Sequence, residues 1–413
     1  MAQVNLTLTH EEVLQVLTGD REEAIKFLLE KILNEIMKAE SEEQLRAARH
    51  ERTEERQDYR NGTRERVLNT RIGTLTLDVP RHRNEPFHTM VFENYQRSEA
   101  ALIATMVQMV VMGVSSRKVE RVVETLCGTS FSKSTVSELC KKLDKDIELF
   151  KRRPLDFQEA PFLMLDATYF KAREDHRIRS KAFLVALAFK PDGGREVVGF
   201  DVFDAEENYS WKTFLSSLKE RGLKDVRMVI SDSHKSIRKS VAEVYPEAAW
   251  QRCQAHFQRN ILDITPNKYK EALALELRKM FDANSIDEAR RVKEAIVAEY
   301  EEVAGKAVEI LETGFEDSMT ARCLPSHLHV KLRTTNPLER LNRELKRRSN
   351  VIQVFPNPES IQRLMGAVTI EISNNYTNGN RMYAEKTFDK LCTDTFPKLR
   401  SIALEQLALI KAA

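Results

Sequence analysis

Hydrophobic residues recur along this chain with two different periods. From residue 10 to 44 and from 98 to 153 they return every three or four positions, which predicts amphipathic helices. Between 160 and 260 they form short blocks that predict five strands, at 162–170, 181–190, 195–204, 226–231 and 248–253. Two segments with helical spacing, 208–222 and 233–245, separate the last three strands. This order predicts an α/β fold with a mixed five-stranded sheet and helices on its faces.

Outside the predicted sheet the pattern is mostly helical. Residues 45–58 are almost all polar and predict a linker or an extension of the preceding helix. Asn61-Gly62 is a turn signal, and the alternation that starts at Thr74 predicts one short strand, ended by Pro80. Residues 257–320 are highly charged and predict a helical block without strands. The tail predicts further helices at 358–376 and 398–411.

Glycine divides the helical segment 98–153 into three predicted helices. Gly113 ends the first, Ser115 or Ser116 can cap the second, and Ser132 or Ser134 can cap the third. Short helices joined by Gly-containing turns are typical of a helix-turn-helix unit and equally of a small helical bundle. If the segment binds DNA, we expect contacts from basic and polar residues at the helix starts: Arg117, Lys118, Lys133 and Ser134.

Size and composition indicate a folded protein of several units. The chain has 413 residues, too many for one ordinary core, and is 42% hydrophobic and 31% charged. No apolar run is long enough to span a membrane, and the first residues lack the pattern of a secretory signal. Five scattered cysteines, an odd number, predict reduced thiols. We therefore expect a cytoplasmic protein without a membrane partner.

The distribution of charge is more informative than its total. Net charge is only +2. Residues 331–348 (KLRTTNPLERLNRELKRR) are strongly basic, however, and such a stripe can attract phosphates. The alternative is an ordinary solvated helix face.

Three acidic residues stand where a sheet protein can carry out chemistry. Asp166 interrupts the apolar strand 162–170, and a buried carboxylate there needs a cation, a metal or several donors. Asp232 follows the strand 226–231, at the edge where open α/β sheets place functional groups. Glu339 opens the basic helix. Three such carboxylates together would offer hard oxygen ligands to Mg²⁺ or Mn²⁺.

Each of the three acids also has a structural alternative. Asp166 can pair with a nearby Lys or Arg, and Asp232 can be an N-cap or a turn residue. Glu339 fits a capping box in which Asn336 is the N-cap and Pro337 the first helical residue.

Helical spacing favours a functional Glu339. One face of its helix would carry an acid, an amide and two cations: Glu339, Asn342, Arg343 and Lys346. An apolar stripe about 100° away can seat the helix on the sheet; it consists of Leu338, Leu341 and Leu345. A glutamate that shares its face with amide and cationic groups suits metal binding beside a phosphate chain.

Cys253-x₂-His256 has the spacing of half a metal site. Cys323-x₃-His327 could supply the other half of a zinc site. The interpretation we prefer is that Cys253 and His256 build the end of the fifth strand near the active centre, without zinc.

The chain resembles the bacterial Mutator-type insertion-sequence transposases, and motifs along most of its length carry the resemblance. They are Tyr59–Gly62, Val79–Arg81, Tyr95–Arg97, Gly113–Val119, Ser134–Ser137, Leu165–Ala167, Asp232, Cys253-x₂-His256, Asn336–Asn342 and Lys346–Arg348. Each piece is weak alone, but their order and spacing together are highly specific.

The resemblance implies an RNase H-like catalytic core with an Asp-Asp-Glu triad formed by Asp166, Asp232 and Glu339. It also implies that Cys253 and His256 are the family's Cys-x₂-His signature. Lys346 would be the basic residue seven positions after the glutamate. DNA contacts are expected from the same helix, through Arg340, Asn342, Lys346, Arg347 and Arg348.

The implied organisation has six regions. They are a helical region at 1–58 that is a candidate for dimerisation, a strand-containing segment at 59–97, a helical DNA-binding region at 98–155, the first part of the core at 156–257, an all-α insertion domain at 258–330 and the last part of the core at 331–413.

The implied reaction is cleavage and rejoining of DNA. Two Mg²⁺ or Mn²⁺ ions about 3.5–4 Å apart would be bridged by Asp166. A water would free a 3′-hydroxyl at the element end, and that hydroxyl would attack a second strand. The implied partners are double-stranded DNA, as terminal inverted repeats and target, and further copies of the chain. Such a protein would act at the bacterial nucleoid.

Two other classes of protein remain open. A helix-turn-helix regulator would use only 98–153 and leave Asp166 without a purpose. An RNase H-like nuclease would use the same metal site without strand joining.

Overall fold

Two units make up the chain, Met1–Lys142 and Leu143–Ala413. The structure, a computed structural model, describes residues 8–412 except 19, 50, 52, 71, 92–99, 128–130 and 156–158. The predicted motif Tyr95–Arg97 lies outside the described residues. Among the residues described, no helix has both the length and the apolar character needed to cross a bilayer.

The first unit begins with two helices and a β-hairpin. These are α1 (His10–Thr18), α2 (Arg21–Leu45), β1 (Arg60–Thr70) and β2 (Gly73–His82). Alternate residues of the hairpin, among them Leu75, Leu77 and Val79, are buried in one cluster with Met37 of α2. Period-two alternation thus seats the hairpin on the helix.

The hairpin corrects the sequence-based prediction of one short strand. The turn joins Thr70 to Gly73, whereas Asn61-Gly62 lies inside β1 at a register shift where Gly62 has φ +75°. Pro80 does not end β2 but pairs with Thr63. In a two-stranded sheet both strands are edges, and edge strands tolerate proline. A glycine in an alternating segment can mark a bulge as well as a turn.

Three short helices follow in the first unit: α3 (Ala100–Val111), α4 (Ser116–Cys127) and α5 (Lys133–Cys140). They share a small core that includes Met106, Val119 and Val136. Gly113 has φ +90°, and the Ser132 side chain caps α5 by accepting the Thr135 N–H at 3.1 Å. The predicted break at Gly113 and the Ser132 cap are confirmed, but the third predicted helix ends at Cys140 and a fourth helix follows at Leu143–Arg152.

A mixed five-stranded sheet forms the centre of the second unit, as predicted. Its elements are α6 (Leu143–Arg152), β3 (Phe162–Glu174), β4 (Arg177–Phe189), β5 (Arg195–Phe203), α7 (Asn208–Glu220), β6 (Met228–Ser231), α8 (Lys235–Val244) and β7 (Ala249–Arg252). The strand order is β5-β4-β3-β6-β7. The first three strands are antiparallel, and β3, β6 and β7 are parallel. β3 is therefore central.

Helices complete the chain after the sheet. They are α9 (Gln254–Ile264), α10 (Asn267–Asp282), α11 (Ile286–Met319), a 3₁₀ turn (Thr320–Cys323), α12 (Ser326–Leu332), α13 (Asn336–Ser349), α14 (Pro358–Thr377), α15 (Glu385–Asp394) and α16 (Phe396–Ala412). Helices α9 to α11 share a core of their own around Phe257, Leu277 and Phe315. The predicted helical block between the fifth strand and the basic helix is confirmed.

Side chains on the two faces of β3 pack against different helices. Leu163 and Leu165 belong to the core shared with α7 and α8, which includes Trp211 and Val241. Helices α13 and α14 contact β3 as well. Because successive side chains of a strand alternate in direction, Asp166 points away from the Leu163 and Leu165 face. Its bond to Asn342 of α13, described below, fits this direction.

Candidate active site

Asp166 is the acidic residue within the central strand, and α13 supplies its main side-chain partner. Asn342 Nδ2 donates to Asp166 Oδ2 at 2.8 Å. The Ala167 N–H donates to the other carboxylate oxygen at 3.0 Å. Neither partner is a cation, and Asp166 forms no ion pair with a Lys or Arg among the described residues, so the alternative of a structural Asp–Lys or Asp–Arg pair has no support.

Asp232 lies at the end of the neighbouring parallel strand. β6 ends at Ser231, and its register with β3 pairs Met164 with Ile230. If this register is extended by two residues, Asp232 lies opposite Asp166, just beyond the end of β6. Asp232 Oδ1 accepts the His234 N–H at 3.1 Å, while His234 itself is the N-cap of α8. Asp232 is thus a turn residue before the helix and not its N-cap.

Glu339 lies in the first turn of α13, whose apolar stripe is buried as predicted at Leu338, Leu341 and Leu345. The predicted capping box is wrong. Thr335 is the N-cap, Asn336 is already helical, and no side chain caps the helix locally. Glu339 Oε1 instead lies 3.3 Å from His256 Nε2. The glutamate is therefore directed at the end of β7 and the start of α9.

The charges of neighbouring residues act on Asp166. Burial and, to a lesser extent, the negative charges of Asp232 and Glu339 together raise the pKa of Asp166 to about 7, against the opposing effects of His256 and the Ala167 N–H. The pKa of His256 is raised to about 9, first by its interaction with Cys253 and then, against burial, by Asp166 and Glu339. A buried carboxylate with a raised pKa beside other negative charges is one whose ionised form a bound cation would stabilise.

One buried oxygen at this site, Asn342 Oδ1, has no hydrogen-bond partner among the described residues, and Glu339 Oε1 has only its ion-pair contact with His256 Nε2. A buried acceptor without a hydrogen bond is costly, and Asn342 lies beside a carboxylate with a raised pKa. Carboxylate and amide oxygens are the donors that Mg²⁺ and Mn²⁺ prefer. The donor types of Asp166, Asp232 and Glu339 therefore suit a hard divalent cation, although Asp166 and Asp232 do not belong to the group of ligand atoms that lie within 4.8 Å of one another among the described residues.

Cys253 and His256 lie beside the same site. Cys253, His256 and Glu339 offer ligand atoms that all lie within 4.8 Å of one another. Against burial, contacts with His256 and Thr335 lower the pKa of Cys253. The suggested second half of a zinc site is not joined to this group, because the Cys323 thiol donates to Thr320 O and His327 is exposed.

The basic residues of α13 have different environments. Lys346 Nζ donates to Tyr169 O and lies 4.6 Å from the centre of the Phe170 ring. Arg340 and Arg347 are exposed, and Arg347 pairs with Glu344.

Arg348 differs from these residues because it is buried. Its guanidinium contacts Glu344 at 2.6 Å and Glu371 at 2.8 Å. The buried position makes Arg348 a structural ion-pair residue.

The other candidate DNA contacts belong to the first unit. Arg117 and Lys118 are exposed in the first turn of α4, and Lys133 and Ser134 are exposed in the first turn of α5. Helix starts of this kind present backbone N–H groups together with the side chains, which suits phosphate binding.

Sequence reasoning missed a fourth carboxylate, Glu206, in the loop before α7. Its two oxygens accept from Tyr169 Oη at 2.8 Å and from Trp211 Nε1 at 3.2 Å. Burial and the charge of Asp232 raise the pKa of Glu206. The acidic loop segment Asp204–Glu207 gave no signal, because acids in loops are ordinarily solvated. The one hint in the sequence is Tyr169, a hydroxyl-bearing residue within an apolar strand, which the structure shows to be 43% exposed.

Comparisons with known proteins agree on one family. The sequence profile described as "Transposase, Mutator family" matches residues 1–379. The chain is 39% identical over 393 residues to the transposase for insertion sequence element IS256 in transposon Tn4001 of Staphylococcus aureus, covering 94% of this chain and 100% of that protein. It is 41% identical over 359 residues to the transposase for insertion sequence element ISRM5 of Rhizobium meliloti, covering 87% and 90%.

A third relative is more distant but similarly complete. The transposase for insertion sequence element IS1081 of Mycobacterium tuberculosis is 33% identical over 389 residues, covering 92% of each chain. The similarity thus spans both units and includes the residues of the candidate site. The chain belongs to the Mutator family of transposases.

Proposed function

We propose that this transposase cleaves DNA at the ends of an insertion sequence and joins the freed 3′-hydroxyl to target DNA, with Asp166, Asp232 and Glu339 as its catalytic triad. Two observations support the proposal: Asp166 of β3 bonds to Asn342 of the helix that carries Glu339, and the negative charges of Asp232 and Glu339 act on Asp166. Three antiparallel strands followed by two parallel ones support an RNase H-like core.

Two Mg²⁺ or Mn²⁺ ions held by the three carboxylates would polarise the phosphodiester and acidify the attacking hydroxyl. The chain's own residues prepare the site for this chemistry. Asn342 fixes one oxygen of Asp166, and His256 faces Glu339. Lys346 lies on the same face of α13 as Glu339, where its ammonium group could hold a phosphate.

The proposed DNA surface of α13 consists of Lys346, Arg340 and Arg347. Arg348 is left out of it because its guanidinium is buried between two glutamates, and Asn342 is assigned to Asp166. In the first unit, Arg117, Lys118, Lys133 and Ser134 would contact the terminal inverted repeats.

Assembly and organisation are part of the same proposal. Joining two ends needs at least a homodimer, for which the helical segment 10–44, now α1 and α2, is a candidate interface. We keep 258–330 as an insertion domain within a core formed by 156–257 and 331–413. Such an enzyme would act on DNA at the bacterial nucleoid.

Incubation with labelled element-end DNA, target DNA and Mg²⁺ tests the function. Wild-type protein should give both nicked ends and joined products, and Asp166→Asn, Asp232→Asn and Glu339→Gln should give neither. Cleavage without joining would favour an RNase H-like nuclease. Specific DNA binding with no metal-dependent cleavage would favour a helix-turn-helix regulator. Normal cleavage by the Asp166→Asn protein would overturn the triad.

A further inference from the structure

Cys253 stands at a junction between the elements that carry two of the three acids. It follows the last residue of β7, precedes α9 and is fully buried. Its N–H donates to Ser231 O at 2.7 Å. Ser231 is the last residue of β6, directly before Asp232. The backbone of Cys253 therefore fixes the strand end from which Asp232 projects.

The side chain of Cys253 holds the start of α13. Its Sγ lies 3.4 Å from both the amide nitrogen and the hydroxyl oxygen of Thr335, and accepts from both. Thr335 is the N-cap of α13, yet its side chain makes no capping bond within its own helix. The first N–H groups of a helix need acceptors from outside it. Here the acceptor for the Thr335 N–H is a sulfur atom from a distant part of the chain.

Two further contacts join the same two segments of the chain. The Gln254 N–H donates to Arg333 O at 2.9 Å, just before Thr335. One helical turn after Cys253, His256 Nε2 lies 3.3 Å from Glu339 Oε1. The segment 253–256 thus contacts the chain before α13, its N-cap and its catalytic glutamate.

We infer that Cys253 is a positioning residue that sets the separation of Asp232 and Glu339, by bonding through its backbone to β6 and through its sulfur to the N-cap of α13. The inference rests on the proposed function of those two acids. In this interpretation the sulfur is not a metal ligand. It acts by holding the glutamate where a cation shared with Asp166 and Asp232 can reach it.

A merely space-filling cysteine would behave differently. If Cys253 only filled volume, the effects of Cys253→Ser and Cys253→Val on activity would depend on side-chain size alone, and the two variants would behave alike because both are close to cysteine in volume. A positioning role requires the acceptor, so Cys253→Ser should retain most function and Cys253→Val should lose it. Thr335→Val tests the same contact from the other side, because it removes the hydroxyl donor with little change in volume.

The experiment measures Mn²⁺ binding through the shift in melting temperature of the full-length protein, together with cleavage of labelled end DNA. Partners that orient metal ligands are worth about 10–100-fold in metal affinity or activity. We expect Cys253→Val to lose Mn²⁺ affinity and cleavage by about that factor. Cys253→Ser should stay close to wild type, and Thr335→Val should fall between them. Cys323→Ala, at a half-buried cysteine outside the site, is the matched control.

Wild-type Mn²⁺ affinity in Cys253→Val would overturn the inference. If Cys253→Val does not fold, Thr335→Val decides: a normal Mn²⁺ shift in that protein overturns the inference, and a weakened shift supports it. Asp166→Asn separates this result from the proposed function. If Asp166→Asn abolishes the Mn²⁺ shift and cleavage while Cys253→Val and Thr335→Val do not weaken them, only the inference fails. If Asp166→Asn cleaves normally, the proposed function fails.

Discussion

Asn342 of α13 donates a 2.8 Å hydrogen bond to Asp166 of β3, although 176 positions separate the two residues. The bond joins the central strand to the helix that carries Glu339. It leaves the other amide atom of Asn342, Oδ1, without a partner among the described residues. Asn342 therefore belongs to the candidate active site, where it orients a carboxylate.

We predict that Asn342→Ala lowers DNA cleavage about 10–100-fold, the usual effect of losing a residue that orients a metal ligand. The reason is that Asp166 would lose the one side-chain hydrogen-bond donor that it has among the described residues. Single-turnover cleavage of end DNA in Mg²⁺ is the measurement. Arg343→Ala, at the exposed neighbouring position, is the control. Equal losses in the two variants would argue for a general effect on DNA binding.

The raised pKa of Asp166 predicts how the unfolding free energy of the metal-free protein depends on pH. The folded chain holds this proton up to about pH 7, whereas the ordinary value is 3.8. Between these pH values the folded state binds more protons than the unfolded state. The stability contributed by Asp166 is therefore present at low pH and is lost as pH rises towards 7.

Asp166→Asn removes this ionisation. Between pH 5 and pH 8 the unfolding free energy of the wild type should therefore fall by about 3 kcal/mol more than that of the variant. Each pH unit from pH 5 up to the pKa of Asp166 accounts for about 1.4 kcal/mol of this difference. Urea unfolding in EDTA at the two pH values measures the difference. A constant difference between the two proteins would contradict the raised pKa.

The strands and helices around the candidate site were predictable from the sequence, because the spacing of their hydrophobic residues matches the sides that they bury. Apolar blocks gave the five strands, and the Leu338, Leu341 and Leu345 stripe gave the buried side of α13. Asp166 was recognisable because a carboxylate in an apolar strand is costly without partners. Local patterns of this kind determine which elements form.

Long-range partners were not predictable from a single sequence. Nothing near Thr335 indicates that its N–H bonds to a cysteine 82 positions away, so Asn336 was taken for the N-cap. Nothing near Glu206 indicates its bonds to Tyr169 and Trp211. The hairpin β1–β2 was misjudged because Gly62 and Pro80 are also common in bulges and edge strands.

Substitutions of the adjacent residues Arg347 and Arg348 should have different effects, one on DNA binding and the other on stability. Arg348→Ala would leave Glu371 without its bidentate partner and should cost about 2 kcal/mol, as for other lost bonds to charged groups. Arg347→Ala should leave thermal stability unchanged, because this side chain is exposed, and should weaken DNA binding. Thermal unfolding and a DNA-binding titration on both variants test the pair. If the thermal stability of Arg348→Ala equals that of the wild type, the structural role assigned to Arg348 is wrong.

The starts of α4 and α5 should contribute phosphate contacts. Each phosphate contact that is lost lowers the slope of log affinity against log salt by about 0.9. Arg117→Ala and Lys133→Ala should each reduce the slope by about that amount, and the double variant by about twice as much. Titrations of end DNA over a range of salt concentrations measure this. Lys279→Ala, on the exposed side of α10 beside Glu276, should keep the wild-type slope.

The position of α13 late in the chain has a consequence for protein synthesis. A growing chain acquires Asp166 and Asp232 first, and the whole helical block α9–α12 must be made before Glu339 follows. Under the proposed function, an incomplete chain could already carry its DNA-binding helices and two of its acids yet cut nothing. Under the same proposal, a protein truncated within α11 would keep the DNA-binding helices but lack Glu339, so it would compete for the element ends without cutting them.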